Sequence, residues 1–529
     1  MALGFCSIYL YRIIVTGVDS ALAGYTVYHW DGNPRTLFIP IALNLIVGWL
    51  LLTLLLLAAR TPGRLRVAIW AALLLLIPWV MRNNLRLDLL ARATPLLDRV
   101  LLMAAFVSTV LLVVLWRPTM APGFERFIAH ASVVLIFMGL FEVVLLGKLT
   151  FYACEASLLP PALPPHHADA GSVTQPHRII WIVMDELSYQ QVYGQRFPGL
   201  ELPAFDAMAR QSTVFTHVVP PAIATPIILP GLLQGKPIEE IRTPLNGQLW
   251  VRIEHEGSWV RFDQHDTVFQ DARDAGYDTA VAGWYNPYCR LMPQVLDQCF
   301  WTYNYPISNG MSPTRNILSN TLAPYGFAIN RMSSFAPNRL RSYLLNLLDV
   351  PRPDVGSTSA HIEDYQLLYK ASDRLLRDPS AGFVLLHLPI PHPWGIYNRR
   401  TGKLSTSTTS YIDNLALADK CLAGMRATLQ QTGQWDASTV VVMGDHSWRT
   451  MIWRGTAYLD GWKPEDESAS HGGQYDEPVA YIVKLPGQTT EARVDTPYSS
   501  VDTRKLFDAI LSRKINSVTD LTAWAATMH

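Results

Sequence analysis

Residues Thr36–Ala58 read TLFIPIALNLIVGWLLLTLLLLA, 23 positions without a charge. As a helix rising 1.5 Å per residue, such a run is about 34 Å long. That exceeds the ~30 Å hydrocarbon core of a bilayer. A soluble helix needs a polar face to meet water, and this run has none. Leu65–Met81, Val100–Trp116 and Phe127–Gly147 repeat the pattern, and Ala2–Val18 is a fifth candidate interrupted by Arg12. Residues 1–157 are therefore expected to form a transmembrane domain of about five helices. Ala2–Val18 lacks a basic start and a small-residue cleavage site, so it is expected to stay on the chain.

Charge does not orient these helices. With five spans and a cytoplasmic N-terminus, Arg60, Arg64, Arg66, Arg117 and Arg126 face one side. Arg35, Arg82, Arg86, Arg92 and Arg99 face the other, a near balance of the charges that usually set topology. The stretch Arg82–Arg99 reads as an interfacial helix. Glu142 reads as an interfacial or snorkelling carboxylate near the end of its span.

Over the 529 residues, 43 Lys and Arg balance 43 Asp and Glu, and charged residues make up 16%. A typical soluble chain has about 25%. The zero conceals two unlike parts. Residues 1–157 carry 12 basic and 7 acidic residues, which leaves 31 and 36 for the rest. A strongly basic nucleic-acid binder and an acidic disordered chain are both excluded. Leu158–His177, LLPPALPPHHADAGSVTQPH, has five prolines and no periodicity, and reads as a linker. His166 and His167 within it read as part of a solvated tether.

From 178 to 529 the pattern changes. Arg178–Met184 (RIIWIVM), Phe383–Leu388 (FVLLHL) and Thr439–Met443 (TVVVM) are continuous apolar strands, as in a sheet covered on both faces. Helical stretches at Leu202–Gln211, Thr267–Ala275 and Tyr411–Gln431 lie between them. Alternation of this kind predicts an α/β domain with a mainly parallel sheet flanked by helices.

In such sheets ligands bind beyond the carboxyl ends of the strands. Asp185 and Glu186 follow the first strand, and Asp445 and His446 follow the last. An acid after a strand is often only a helix cap; two acids and an Asp-His pair on strands of matching type suit a divalent metal. Thr225, in PPAIATPIILPGLLQGKP, fits two roles equally well. It is either a nucleophile at a helix start near a cation or an N-cap with Pro226 at the first helical position. His392 in HLPIPHPWGIY and His471 in ASHGGQYDEP are single histidines in Gly/Pro-rich loops.

Seven motifs in order make residues from about Arg178 to Leu511 resemble the alkaline phosphatase/sulfatase superfamily. They are IVMDELS; LPAFDAMARQSTVFTHVV; ATPIILPGLLQGKP, with Thr225 ten positions before Gly235; DARDAGYDTAVAGW; FVLLHLPIPHPWGIY; VVVMGDHS; and VAYIVKLPGQ with SSVD. The resemblance implies metal ligands at Asp185, Asp445 and His446, with Thr225 as nucleophile and ligand. Glu186, standing where true sulfatases place a second acid, is the weaker ligand. His392 and His471 resemble the histidines that contact the transferred group, bind a second metal or protonate the leaving group.

True sulfatases have Cys or Ser followed by Pro at plus two and Arg at plus four. Here Ile227 and Leu229 occupy those positions, which argues against formylglycine chemistry and sulfate-ester hydrolysis. A Thr nucleophile behind several spans resembles instead the lipoteichoic acid synthases and lipid A phosphoethanolamine transferases. That likeness implies five spans and a catalytic domain on the extracytoplasmic, periplasmic side of the inner membrane. It also implies one Zn²⁺ or Mn²⁺, since a complete second ligand set is not matched. The implied activity moves a phospholipid head group, of phosphoethanolamine or phosphoglycerol type, onto an envelope glycan or lipid through a phosphothreonine ester. The alternatives are a phosphodiesterase or phosphatase using water, and a catalytically inactive membrane scaffold. No nucleic-acid partner is expected.

Cys289 and Cys299, ten residues apart, are placed to close a small loop in an oxidising compartment. Cys154 with Cys421 is a second pairing to weigh against free thiols. Trp284, Tyr285, Asn286, Arg290, Trp448 and Arg449 flank the motifs and are candidate substrate-groove residues.

Overall fold

A computed structural model describes residues 1–30, 33–61, 63–88, 95–115, 121–156, 177–304, 311–313, 315–331, 353–455 and 461–528. The linker expected at 158–177 lies outside them except for His177. Contacts divide the chain into two units: residues 1–159 with 306–351, and residues 160–305 with 352–529.

Among the described residues of the first unit, three helices are long and apolar enough to cross a membrane: Arg35–Ala58, Arg64–Arg82 and Glu125–Glu155. The last two are parts of the longer helices Arg64–Asp88 and Ala121–Ala156. They turn large apolar side chains outward, among them Leu54, Val133, Phe137 and Leu140. The expected span Val100–Trp116 is helical as far as Leu115, within the helix Pro95–Leu115. Ala2–Val18 breaks at Leu10 into Ala2–Tyr9 and Tyr11–Val18, eight residues each. Eight residues rise only about 12 Å, too little to cross. The interfacial helix read at Arg82–Arg99 is instead the end of one helix and the start of the next, with 89–94 outside the described residues.

Glu142 does not snorkel outward: it is buried, and its Oε2 accepts a 2.6 Å hydrogen bond from Ser7 Oγ. The helices carrying that pair approach closely because Gly4 has no side chain; a Cβ there would stand 2.1 Å from the Leu135 carbonyl oxygen. The helix Ile317–Arg331 also packs in this unit, against Arg35–Ala58. Asn44 Nδ2 donates to the Thr321 carbonyl at 3.1 Å, and Asn320 Nδ2 donates to that of Thr36 at 3.1 Å.

The second unit is built on an eight-stranded sheet. Its strands are β1 (Ile179–Met184), β2 (Thr213–Phe215), β3 (Thr279–Trp284), β4 (Gln298–Thr302), β5 (Phe383–Leu388), β6 (Thr439–Gly444), β7 (Tyr481–Lys484) and β8 (Ala492–Val494). The spatial order is β8-β2-β7-β6-β1-β5-β3-β4. All pairings are parallel except those of β7 with β6 and β2. Every residue of β1, β3, β5 and β6 is buried, which explains their unbroken apolar runs. In register, Met184 stands opposite Gly444 on one side and Leu388 on the other. The residues after these three strands therefore meet at one edge.

Arg178, just before β1, is buried with its guanidinium spent on backbone. It donates to the carbonyls of Ala381, Leu376 and Leu375, each at 2.9 Å. Leu375 and Leu376 end the helix Pro353–Arg377, whose carbonyl end favours a cation. Cys289 and Cys299 form a disulfide joining the short helix Tyr288–Leu291 to β4, while Cys6, Cys154 and Cys421 are free.

Arg178→Met is expected to lower the stability of this unit by about 2–3 kcal/mol, because three buried carbonyls lose their donor. Thermal melting checks it, with Arg178→Lys recovering part of the loss. An unchanged midpoint in Arg178→Met would contradict the role.

Candidate active site

Four side chains converge beyond the carboxyl ends of β1 and β6. Asp185 follows β1, Asp445 and His446 follow β6, and Thr225 opens the helix Thr225–Gln234. All four are buried. Thr225 Oγ1 lies 3.2 Å from Asp185 Oδ2 and 3.2 Å from His446 Nε2. The N-cap position is Ala224, and no side chain caps this helix. The hydroxyl therefore does not cap the helix and is directed into the acid-histidine cluster. Helix formation still fixes its place: Pro226 sits in the first turn, and Gly235, at φ 64°, ends the helix.

The cluster is pre-oriented by backbone groups. Asp445 Oδ1 accepts from the amides of His446 at 2.8 Å and Glu186 at 3.1 Å. His446 Nδ1 lies 3.0 Å from the Ser447 carbonyl, so the proton is assigned to Nδ1 and the Nε2 lone pair faces the cluster. Burial, then the nearby Arg449 charge, lowers the His446 pKa to about 4 and keeps it neutral. Burial, then the charges of Asp445 and Glu186, pushes the Asp185 pKa well above the usual carboxylate range. Burial also raises Asp445. Asp185 Oδ1 and Asp445 Oδ2 are buried without a hydrogen-bond partner among the described residues.

Two unpartnered carboxylate oxygens and an imidazole lone pair make a donor set that fits a divalent cation. Ligand atoms of Asp185, Asp445 and His446 lie within 4.8 Å of one another. Mixed oxygen and nitrogen donors suit Zn²⁺ or Mn²⁺ better than Ca²⁺, and Thr225 Oγ1 stands where it would complete the set.

Glu186 has a different occupation. A second group, Asp185 with Glu186 and His392, has comparable spacing. Both Glu186 oxygens, however, are already bound. Arg449 approaches through its amide (3.1 Å to Oε2), its Nε (2.7 Å to Oε1) and its Nη2; Trp453 Nε1 lies 2.9 and 3.0 Å from the two oxygens. Burial opposes the Arg449 charge, yet Glu186 and then Asp185 hold its pKa above the usual value. A fixed guanidinium therefore stands beside Glu186, and its Nη1 reaches towards the Ile223 carbonyl in the loop before Thr225, at 3.4 Å. The Glu186 backbone is in the left-handed region at φ 66°, a strain typical of functional positions.

His392 Nε2 lies 3.9 Å from Glu186 Oε1, and its Nδ1 lies 2.9 Å from the Pro393 carbonyl. Burial, then Arg449, lowers its pKa well below the usual histidine value. The remaining candidates lie further out. His471 is exposed and lines a cavity with Ser447 and Trp448. Trp448 is buried, stacked on Tyr411 with centroids 4.2 Å apart. Arg290 is placed over the Trp301 ring, 5.3 Å from its centroid.

His387 escaped the sequence reading because it lies inside the apolar run of β5. Its Nδ1 sits 2.9 Å from the Trp284 carbonyl and 3.0 Å from Tyr288 Oη. Its buried Nε2 has no partner among the described residues, and its charge interaction with Asp445 opposes the rise that burial causes there. A lone histidine in a fully buried strand was the available signal.

Mn²⁺ or Zn²⁺ is expected to raise the melting temperature, and Asp445→Ala to abolish the rise. Because Asp185 titrates above its unfolded value, the metal-free fold keeps a proton that the unfolded chain has released. Metal-free stability therefore falls as pH rises through that raised range, and the cation, which displaces the proton, binds better at higher pH. The cation-induced shift should grow between about pH 5 and about pH 8; a shift independent of pH would contradict this. Arg449→Met alone should destabilise by about 3 kcal/mol, and by much less when combined with Glu186→Gln.

A family model described as Sulfatase matches residues 177–511, more than half of the chain. Solved structures with similarity to this chain include three with low identity. Ps i-CgsB in complex with k-i-k-neocarrahexaose is 15% identical, with a TM-score of 0.41, over 67% of this chain and 76% of that one. The phosphonate monoester hydrolase SpPMH from Silicibacter pomeroyi is 14% identical, with a TM-score of 0.38, over 64% and 73%. A protein in the alkaline phosphatase superfamily from Vibrio parahaemolyticus is 12% identical, with a TM-score of 0.36, over 68% and 74%. No curated protein matches the chain. With the family model spanning the whole sheet and all four clustered side chains, the chain belongs to the sulfatase family of the alkaline phosphatase/sulfatase superfamily.

Proposed function

We propose that this chain is a membrane-held, cation-dependent phosphotransferase. It takes the phosphorylated head group of a phospholipid, of phosphoethanolamine or phosphoglycerol type, and passes it to a glycan or lipid of the cell envelope. The observation that carries the reading is the Thr225 hydroxyl, released from capping and held 3.2 Å from both Asp185 and His446. The Ile227 and Leu229 that follow it support ester chemistry on a threonine oxygen over formylglycine chemistry. Three long apolar helices with outward leucines, valines and phenylalanines suit a lipid surrounding, and a phospholipid donor lies in that bilayer. In this reading the catalytic unit stands on the extracytoplasmic side, in the periplasm.

Asp185, Asp445, His446 and Thr225 would hold one Zn²⁺ or Mn²⁺. Such an ion, when bound, lowers the pKa of a coordinated hydroxyl and draws charge from a phosphoryl oxygen. The chain's own part begins with Thr225 Oγ1 attacking phosphorus: the Oγ1–P bond forms and the P–O bond to the diacylglycerol oxygen breaks. The threonine proton passes to Asp185 Oδ2, 3.2 Å away. Arg449 places a permanent positive charge beside the loop that carries Thr225, suited to an anionic phosphoryl group. The departing oxygen needs a proton. His392 is kept neutral by burial and Arg449, which leaves the exposed His471 as the donor. A hydroxyl of the acceptor then attacks phosphorus and gives its proton to His471; the new O–P bond forms, the Oγ1–P bond breaks, and Oγ1 takes back its proton from Asp185 Oδ2: a ping-pong cycle.

Purified protein given phospholipid labelled in the head group, together with an envelope glycan extract, should move label into the glycan. Thr225→Ala should reduce this by at least about a thousandfold. Label released only as free phosphorylated head group would replace transfer with hydrolysis. Undiminished turnover in Thr225→Ala would remove Thr225 from the chemistry.

A further inference from the structure

Residues 306–351 fall in the first unit, although the chain before and after them builds the second. In the second unit the two ends of this insertion are held together by the buried Asp364. Its carboxylate accepts from Thr302 Oγ1 at 2.8 Å and from the Asn304 amide at 3.1 and 3.0 Å. The insertion therefore leaves the catalytic sheet from a closed base, just after β4. Its described helix, Ile317–Arg331, packs on the span Arg35–Ala58.

What holds the helix there follows from a proline. Pro40 lies inside the span and brings no amide hydrogen to the Thr36 carbonyl, one turn earlier. In hydrocarbon no water can replace that hydrogen, so another part of the protein must. Asn320 Nδ2 does so, at 3.1 Å. The Asn320 side chain is fixed on its own side as well. Its Oδ1 accepts from the Ser312 amide at 3.0 Å, and its Nδ2 donates to the Ser312 carbonyl at 2.9 Å.

The span returns the contact. Asn44 Nδ2 donates to the Pro40 carbonyl at 2.9 Å and to the Thr321 carbonyl at 3.1 Å. Both asparagines are buried. With Asn320, the small Ala323 and Pro324 complete one buried stripe of the helix, at i, i+3 and i+4. Each helix thus gives one asparagine to the other's backbone, and separating them strands a carbonyl on both.

We infer that Ile317–Arg331 is a membrane anchor of the catalytic chain, docked on the span Arg35–Ala58 through Asn320 and Asn44. It holds the catalytic unit to the membrane independently of the linker. The unit is then fastened twice, once by the continuous chain and once by this seam, and a cut in the linker does not set it free. The inference rests on the membrane reading of the first unit and is independent of the transfer chemistry.

The test uses the full chain, tagged at the N-terminus, in phosphatidylcholine vesicles opened to a site-specific protease whose sequence is inserted after Gly171. After cutting, the fragment from 172 onward should stay with the vesicles through washing. Asn44→Leu combined with Asn320→Leu should release it at least about tenfold faster. The released fragment should still melt cooperatively, which separates loss of the seam from loss of the fold. A photoreactive residue at Thr321 reads the same seam with both asparagines in place, and should cross-link to the fragment ending at Gly171. Release of the unmodified fragment on cutting would overturn the anchor. Retention unchanged in the double variant, with no cross-link from Thr321, would overturn it too. Should both fragments leave the vesicles still joined on the tag resin, the membrane reading fails while the seam stands, so the two ideas fail separately.

Discussion

Three carboxylates, Asp185, Glu186 and Asp445, are completely buried at the ends of two neighbouring strands. Taking charges out of water costs several kcal/mol each unless opposite charge and hydrogen bonds replace the solvent. The rest of the site follows from how that cost is met. Glu186 is neutralised from within the chain by Arg449 and capped by Trp453. Asp445 receives two backbone amides on one oxygen. What remains is Asp185 Oδ1 and Asp445 Oδ2, buried without a hydrogen-bond partner among the described residues, beside a neutral imidazole and a hydroxyl. A divalent cation is the simplest species that satisfies all four. The guanidinium of Arg449 stands at the second acidic position, on Glu186.

The sheet makes this arrangement affordable in conformational terms. Register between β1 and β6 brings Met184 opposite Gly444, so the acids that follow emerge side by side. Gly444 permits the approach; a Cβ there would lie 2.7 Å from the Leu187 carbonyl oxygen. Strands buried on both faces leave these loops little freedom to relax, and an acid pair held this rigidly cannot escape to solvent. Its reactivity is therefore a property of the fold as well as of the residue types.

Much of this was legible in the sequence, because each of the four clustered residues follows a recognisable boundary: the end of an apolar strand or the start of a Pro-marked helix. The choice between cap and nucleophile for Thr225 was not, since both use the same residue at the same place; only the direction of the hydroxyl separates them. Glu186 read as a weaker ligand from its place in the motif; that Arg449 and Trp453 already occupy its oxygens was not legible, because they lie more than 260 positions away. The partnered state of Asn44 and Asn320 likewise depends on distant segments that no local pattern reports. In the N-terminal unit hydropathy located the apolar segments, but it could not show that the first of them breaks at Leu10. His387 was hidden for the opposite reason: a polar residue inside an apolar run reads as part of the strand.

The account stands on Thr225 Oγ1 as the atom that accepts the transferred group. The most direct measurement is intact-mass and peptide analysis of the enzyme quenched during turnover with a phospholipid donor. It should show a phosphorylated head-group adduct on the peptide containing Thr225, absent from Thr225→Ala. An adduct found only on a peptide without Thr225 would contradict the account.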